Sequence, residues 1–142
     1  MNLIRISTDL EMTVHDFPSG SYSEQNEALR KYIGSTCETY EHVMPKRLYT
    51  VLGGSNKVTK EPGNCIGMLV DGEGILRDLD TNIVGCYLYE TDKHGCPIVG
   101  NILIIGETWN VDGIDFCGIS EQQFNLLYPK LEELVKKARE SK

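Results

Sequence analysis

Pro97 to Gly106, PIVGNILIIG, packs Ile98, Val99, Ile102, Leu103, Ile104 and Ile105 into ten residues with Pro or Gly at each end. A short apolar run bounded by chain breakers is how a strand covered on both faces reads. Burying each such side chain contributes roughly 1.5–3 kcal/mol, so this run is expected to be the middle of a sheet. The rest of the chain supplies that sheet's neighbours and covers.

Upstream, Asn2 to Ile6 and Met12 to Phe17 alternate loosely between apolar and polar and predict two strands, the second closed by Pro18-Ser19-Gly20. Ser21 with Glu24 forms a capping-box pattern, and Ala28, Leu29, Tyr32 and Ile33 make an apolar stripe that stops at Gly34, so a helix over 22–33 is expected. STCETYEHVMP then has a period of two and predicts a strand from Thr36 to Met44, ended by Pro45. GGSNKVTKEPGN at 53–64 reads as a polar, mobile loop, and CIGMLV at 65–70 as a second buried strand. Asp71-Gly72-Glu73-Gly74 is a turn leading into Ile75-Leu76.

Asp80 to Tyr89 is ambiguous: Asp80 or Thr81 could cap a short helix, yet Val84, Gly85 and the tyrosines lower helix propensity, and on a strand Tyr87 and Tyr89 would share a face. Lys93-His94-Gly95 turns the chain into the central strand, and Gly113 to Gly118 offers a last short one. Ser120 with Gln123 caps a C-terminal helix over 120–140, where Pro129 is expected to kink or divide the helix near Tyr128. Strands with a helix near each end predict one α+β domain over residues 1–142, its sheet mixed or mainly antiparallel.

The chain's 142 residues suffice for a self-supporting core, and 40% hydrophobic with 25% charged residues is ordinary for a folded protein. No segment approaches the length of a membrane span. The N-terminus MNLIRISTDLEM carries acids where an export signal would be apolar, so a cytoplasmic protein is expected. The five cysteines, Cys37, Cys65, Cys86, Cys96 and Cys117, are odd in number and form no CxxC, which reads as reduced packed thiols. Neither metal nor cofactor is expected.

Net charge is −7, and Asp71 to Asp115 alone holds nine acids against Arg77 and Lys93. That sign repels nucleic acid phosphates and attracts basic partners. Asp71, Glu73, Asp78, Asp80 and Asp112 are therefore candidate docking residues. Trp109, flanked by Thr108 and Asn110 outside the core run, joins them because Trp is enriched at interfaces.

Motifs for chemistry are weak. GGSNK at 53–57 lacks the spacing of a phosphate-binding loop, and Gly72-Glu73-Gly74 is followed by Arg77 where a dinucleotide fingerprint needs its third glycine. His94 and Cys96 are two apart without a nucleophile elbow. Lys46, Arg47 and Lys57 are the basic groups that could face a phosphate-bearing ligand.

Tyr32-Ile33-Gly34, Tyr40-Glu41-His42-Val43, Leu69 to Gly74 with Asn82, and Gly95 to Asn101 together resemble a family of small proteins from phages, plasmids and gut bacteria known as domain of unknown function 3846. The resemblance covers residues 1–106. It implies a setting on mobile elements, sometimes near antirestriction genes, and carries no catalytic residues; Asp71, Asn82, Pro97 and Gly100 are the matching turn and strand-end positions. The leading expectation is a non-enzymatic protein that inhibits a host defence system, such as a restriction or CRISPR nuclease, by binding a basic host protein surface with its acidic one. Nucleic acid and membrane are not expected as partners. The alternatives are a protein that sequesters a nucleotide signal and a cysteine-dependent enzyme.

Overall fold

The computed structural model describes residues 1–141. Its chain order is β1 (Asn2–Ile6), β2 (Met12–Asp16), α1 (Tyr22–Ile33), β3 (Tyr40–Val43), α2 (Lys46–Thr50), β4 (Cys65–Asp71), α3 (Ile83–Tyr89), α4 (Thr91–His94), β5 (Ile102–Asn110), β6 (Gly113–Cys117) and α5 (Glu121–Glu140). Six strands form one sheet in the order β2-β1-β5-β4-β3, with β6 also paired to β5, and every pairing is antiparallel. The fold is α+β.

β5 lies in the middle, as the apolar run requires, and both of its faces are covered. Ile102 and Ile104 point to one side with Ile4, Ile6, Ile66 and Met68, under Leu48, Val84, Leu88, Leu127, Leu131 and Val135 from α2, α3 and α5. Leu103 and Ile105 point to the other side with Leu3 and Leu69, under Leu29 and Ile33 of α1. A sheet sandwiched between helix layers has no need of alternating polarity along its central strands.

The boundaries of the central strand differ from the 97–106 reading. Gly100 takes a left-handed φ of 78° and its N–H bonds Asp80 O, so Pro97 to Asn101 is a loop outside the strand, bridged from Val99 to Thr81 in the segment before α3. The strand then runs past Gly106 to Asn110, where the turn to β6 begins.

The strand expected over 36–44 is confined to Tyr40–Val43, because Cys37 N–H turns back to Gly34 O at 3.1 Å. The ambiguous 80–89 segment is a helix capped by Asn82 rather than Asp80 or Thr81, so Tyr87 and Tyr89 lie on α3 and share no strand face. Lys93 and His94 belong to the single turn of α4.

Pro129 does not divide the C-terminal helix, which is continuous from Glu121 to Glu140. Its N-terminus is held by Ser120, whose hydroxyl accepts from Gln123 N–H at 3.3 Å. No helix among the described residues is long and apolar enough to cross a membrane.

Candidate functional site

Because β4 ends at Asp71 where β5 begins, the 71–80 loop sits at one end of the sheet and the β5–β6 turn at the other. With a rise of about 3.4 Å per residue, the two ends are on the order of 30 Å apart. The acidic 71–115 segment is therefore two surfaces. Glu73, Asp78 and Asp80 fall at the first end; Trp109 and Asp112 fall at the second.

Asp71, expected on the docking surface, is instead internal. Its side chain is 2% exposed and ion-paired to Arg77, whose guanidinium also donates to Thr36 O. Asp71 Oδ1 accepts from Glu73 N–H at 2.9 Å and closes the turn. The carboxylate holds the 71–80 loop in shape and meets no partner directly.

What remains at this end is a groove. Glu41 and Val43 from β3, Val70 from β4, Gly74 to Leu76 and Ile98-Val99 line a cavity of about 110 Å³ whose walls are mainly apolar and whose carboxylates are Glu41, Asp71 and Glu73. Glu41 was missed from sequence. It shares a sheet face with Val43 by the two-residue period of β3, a pattern blurred by the surrounding polar residues. Among the described residues Glu41, Glu73, Asp78 and Asp80 enter no ion pair, while Ile75 and Leu76 on the lip are 61% and 84% exposed.

At the far end, Trp109 pairs across the hairpin with Ile114, and both are exposed beside Val111 and Asp112. Asp112 N–H donates to Asn110 Oδ1 at 2.8 Å, so this tip is a formed turn.

The basic candidates do not assemble. Arg47 Nη1 and Nη2 donate to the two Asp92 oxygens at 2.7 and 2.8 Å, and the guanidinium lies 4.7 Å from the Tyr87 ring centroid. A cation so engaged is already satisfied. Lys46 and Lys57 are exposed, and no bond joins Lys57 to the Lys46–Arg47 pair.

One constellation escaped the sequence reading altogether. On the α1 face, His42 Nε2 of β3 reaches across β4 to Glu107 Oε1 of β5 at 2.6 Å, off the line of a straight hydrogen bond, and Cys65 Sγ donates to Glu107 Oε2 at 2.9 Å. Gly67 lies between them. A Cβ there would stand 2.8 Å from His42 Nε2 and 3.1 Å from Glu107 Oε1, so the glycine makes the contact possible. Glycine inside a buried strand was the one local sign of this close approach.

Burial raises the Glu107 pKa, but the His42 and Cys65 contacts more than offset it, and the carboxyl ends below its ordinary value. The same arrangement suppresses thiol chemistry. Burial and then Glu107 push Cys65 up to about 12, burial pushes Cys117 up to about 11, and burial raises Cys37 as well. Thiols that hold their protons at neutral pH are poor nucleophiles. Cys96 is exposed, but His94 Nδ1 accepts from its backbone N–H at 3.2 Å. No group of three or more His, Cys, Asp or Glu residues suited to a metal ion occurs among the described residues.

No protein-family model, curated protein or solved structure matches this chain.

Proposed function

We propose that this chain is a non-enzymatic binding protein that docks a basic protein surface with the acidic end of its sheet. The observation that carries the reading is the groove beside the 71–76 turn. Its apolar walls, exposed lip and unpaired Glu41 and Glu73 combine what a partner's interface core needs with a charge sign that selects the partner. Asp78 and Asp80 extend the same field, while Trp109 and Asp112 are too distant to share one small contact.

The resemblance to domain of unknown function 3846 supports a setting on a phage or plasmid, working in the host cytoplasm. Nucleases of restriction or CRISPR systems are then the favoured partner class, since their nucleic-acid channels are basic. The upward pKa shifts of buried Cys37 and Cys65 and of half-buried Cys117, each set first by desolvation, weigh against a cysteine enzyme built on these thiols.

The test is affinity capture from host lysate by the wild-type chain and by Glu41→Lys/Glu73→Lys, eluted by a salt gradient. The expected result is a stoichiometric basic protein released as salt rises and absent from the variant's eluate. A partner that ignores both salt and the charge reversals would overturn the reading.

A further inference from the structure

The groove has a more specific shape than an acidic surface requires. Gly74 packs against Val99 so closely that a Cβ on it would stand 2.7 Å from Val99 Cγ2, which locks the 71–76 turn onto the 96–99 loop and fixes the groove's width. Asp71, tied to Arg77, closes the inner wall, while the Glu41 and Glu73 carboxylates remain free of ion pairs. A cavity of about 110 Å³ is on the scale of one long aliphatic side chain rather than of a nucleotide or a peptide backbone. Apolar walls below and unpaired carboxylates above match one chemistry: a four- or five-atom stem with a cation at its tip, the form in which lysine and arginine bury their stems and keep their charge at the rim.

We infer that the groove between the 71–76 turn and the 96–99 loop is a receptor slot for a single arginine or lysine side chain of the partner protein, with Val70 and Val99 against the stem and Glu41 and Glu73 on the cationic head. The inference rests on the docking function proposed above and names its anchor. Apolar walls set it apart from a site for a bare cation, which would need converging oxygens instead. The exposed Leu76 on the lip covers the residue beside the anchor, where interface cores exclude water. Glu41 and Glu73 contribute little alone in water, and their effect grows as the bound stem displaces solvent from the slot.

The slot can be tested without knowing the partner. The full chain, labelled at its Val and Leu methyl groups, is titrated with Nα-acetylarginine amide and, separately, with Nα-acetylcitrulline amide, which has the same length and no charge. The expected result is saturable movement of the Val70, Val99 and Leu76 signals with the arginine compound, at least severalfold weaker with citrulline. Glu41→Gln/Glu73→Gln alters an exposed and a half-buried side chain without changing their size, and the amide oxygen at position 73 can still accept from Thr39 Oγ1, so the variant should keep the wild-type amide spectrum and lose most of that binding.

Unmoved methyl signals, equal response to citrulline, or undiminished binding by the double variant would each overturn the slot. If Glu41→Lys/Glu73→Lys still abolished capture of a salt-released partner in that case, the acidic docking face would stand and only the side-chain anchor would fall.

Discussion

Asn82 joins three parts of the chain through one buried amide. Its Nδ2 donates to Ile6 O at 3.1 Å and Gly100 O at 3.0 Å, and its Oδ1 accepts from Gly85 N–H at 2.9 Å, so the end of β1, the loop before β5 and the first turn of α3 meet on a side chain with no exposed surface. Asn82→Ala strands two buried carbonyls and uncaps the helix, and a loss of about 2–4 kcal/mol in urea denaturation is expected. From sequence Asn82 reads as an ordinary turn residue, because its partners lie far along the chain. His42, Gly67 and Glu107 were hidden for the same reason. The folded Glu107 pKa lies below the ordinary 4.5, so between those two values the unfolded chain binds the extra proton. The carboxylate's contribution is thus fully present above about pH 4.5 and is lost as pH falls through the folded value. His42→Ala leaves burial opposed only by Cys65, and the expected outcome is destabilisation by about 1–3 kcal/mol with acid unfolding beginning at higher pH. An unchanged acid midpoint in circular dichroism would contradict this role. Alkylation at neutral pH followed by peptide mass mapping should modify exposed Cys96 early and Cys65 only after unfolding.

At the scale of elements, what the sequence made legible follows from local physics. The α1 and α5 caps were readable because a Ser hydroxyl accepts from the N–H three positions on within one turn; Glu24 completes the capping box at α1, whereas at α5 Gln123 Oε1 accepts from Ser55 N–H instead. β4 and β5 were readable because burial on both faces demands continuous apolar side chains. The start of β5 was not, since Ile98 and Val99 are as apolar as the strand yet belong to a loop whose path is set by Gly100 and Asp80. Helix α3 was ambiguous for a related reason: its weak formers are held by tertiary packing of Val84 and Leu88, which no propensity scale contains. In α5, Leu127, Leu131 and Val135 are buried while Pro129 faces solvent, so core packing on one side keeps the helix whole despite a missing hydrogen bond on the other. Pro129→Ala restores that donor at an exposed site and should raise stability by about 1–3 kcal/mol. A melting temperature that stays level or falls would contradict this cost of Pro129. The groove was half legible: Glu73 and Asp71 stood out as turn acids, but only the assembled sheet brings Glu41 beside them and turns Asp71 inward.

The whole molecule is held together by pairings distant in sequence. β5 has β1 on one edge and β4 on the other, and neither neighbour touches the other without it. A chain ending at residue 100 therefore retains two separate two-stranded pairs, the β1–β2 hairpin and β3–β4 with α2 between its strands, each marginal in water. Such a truncation should show no cooperative thermal transition and should be digested rapidly by protease, whereas the full chain resists.

The central place of β5 also sets a schedule for the protein's birth. Roughly 100 residues separate the end of β1 from the start of β5, which a ribosome adding about 5–20 residues per second takes on the order of 5–20 s to deliver. Throughout that interval Ile4 and Ile6 wait on the nascent chain beside an unpaired strand edge, available to chaperones and to neighbouring chains alike. Expression yield should accordingly depend on how quickly codons 7 to 110 are translated, and much less on codons that follow β6.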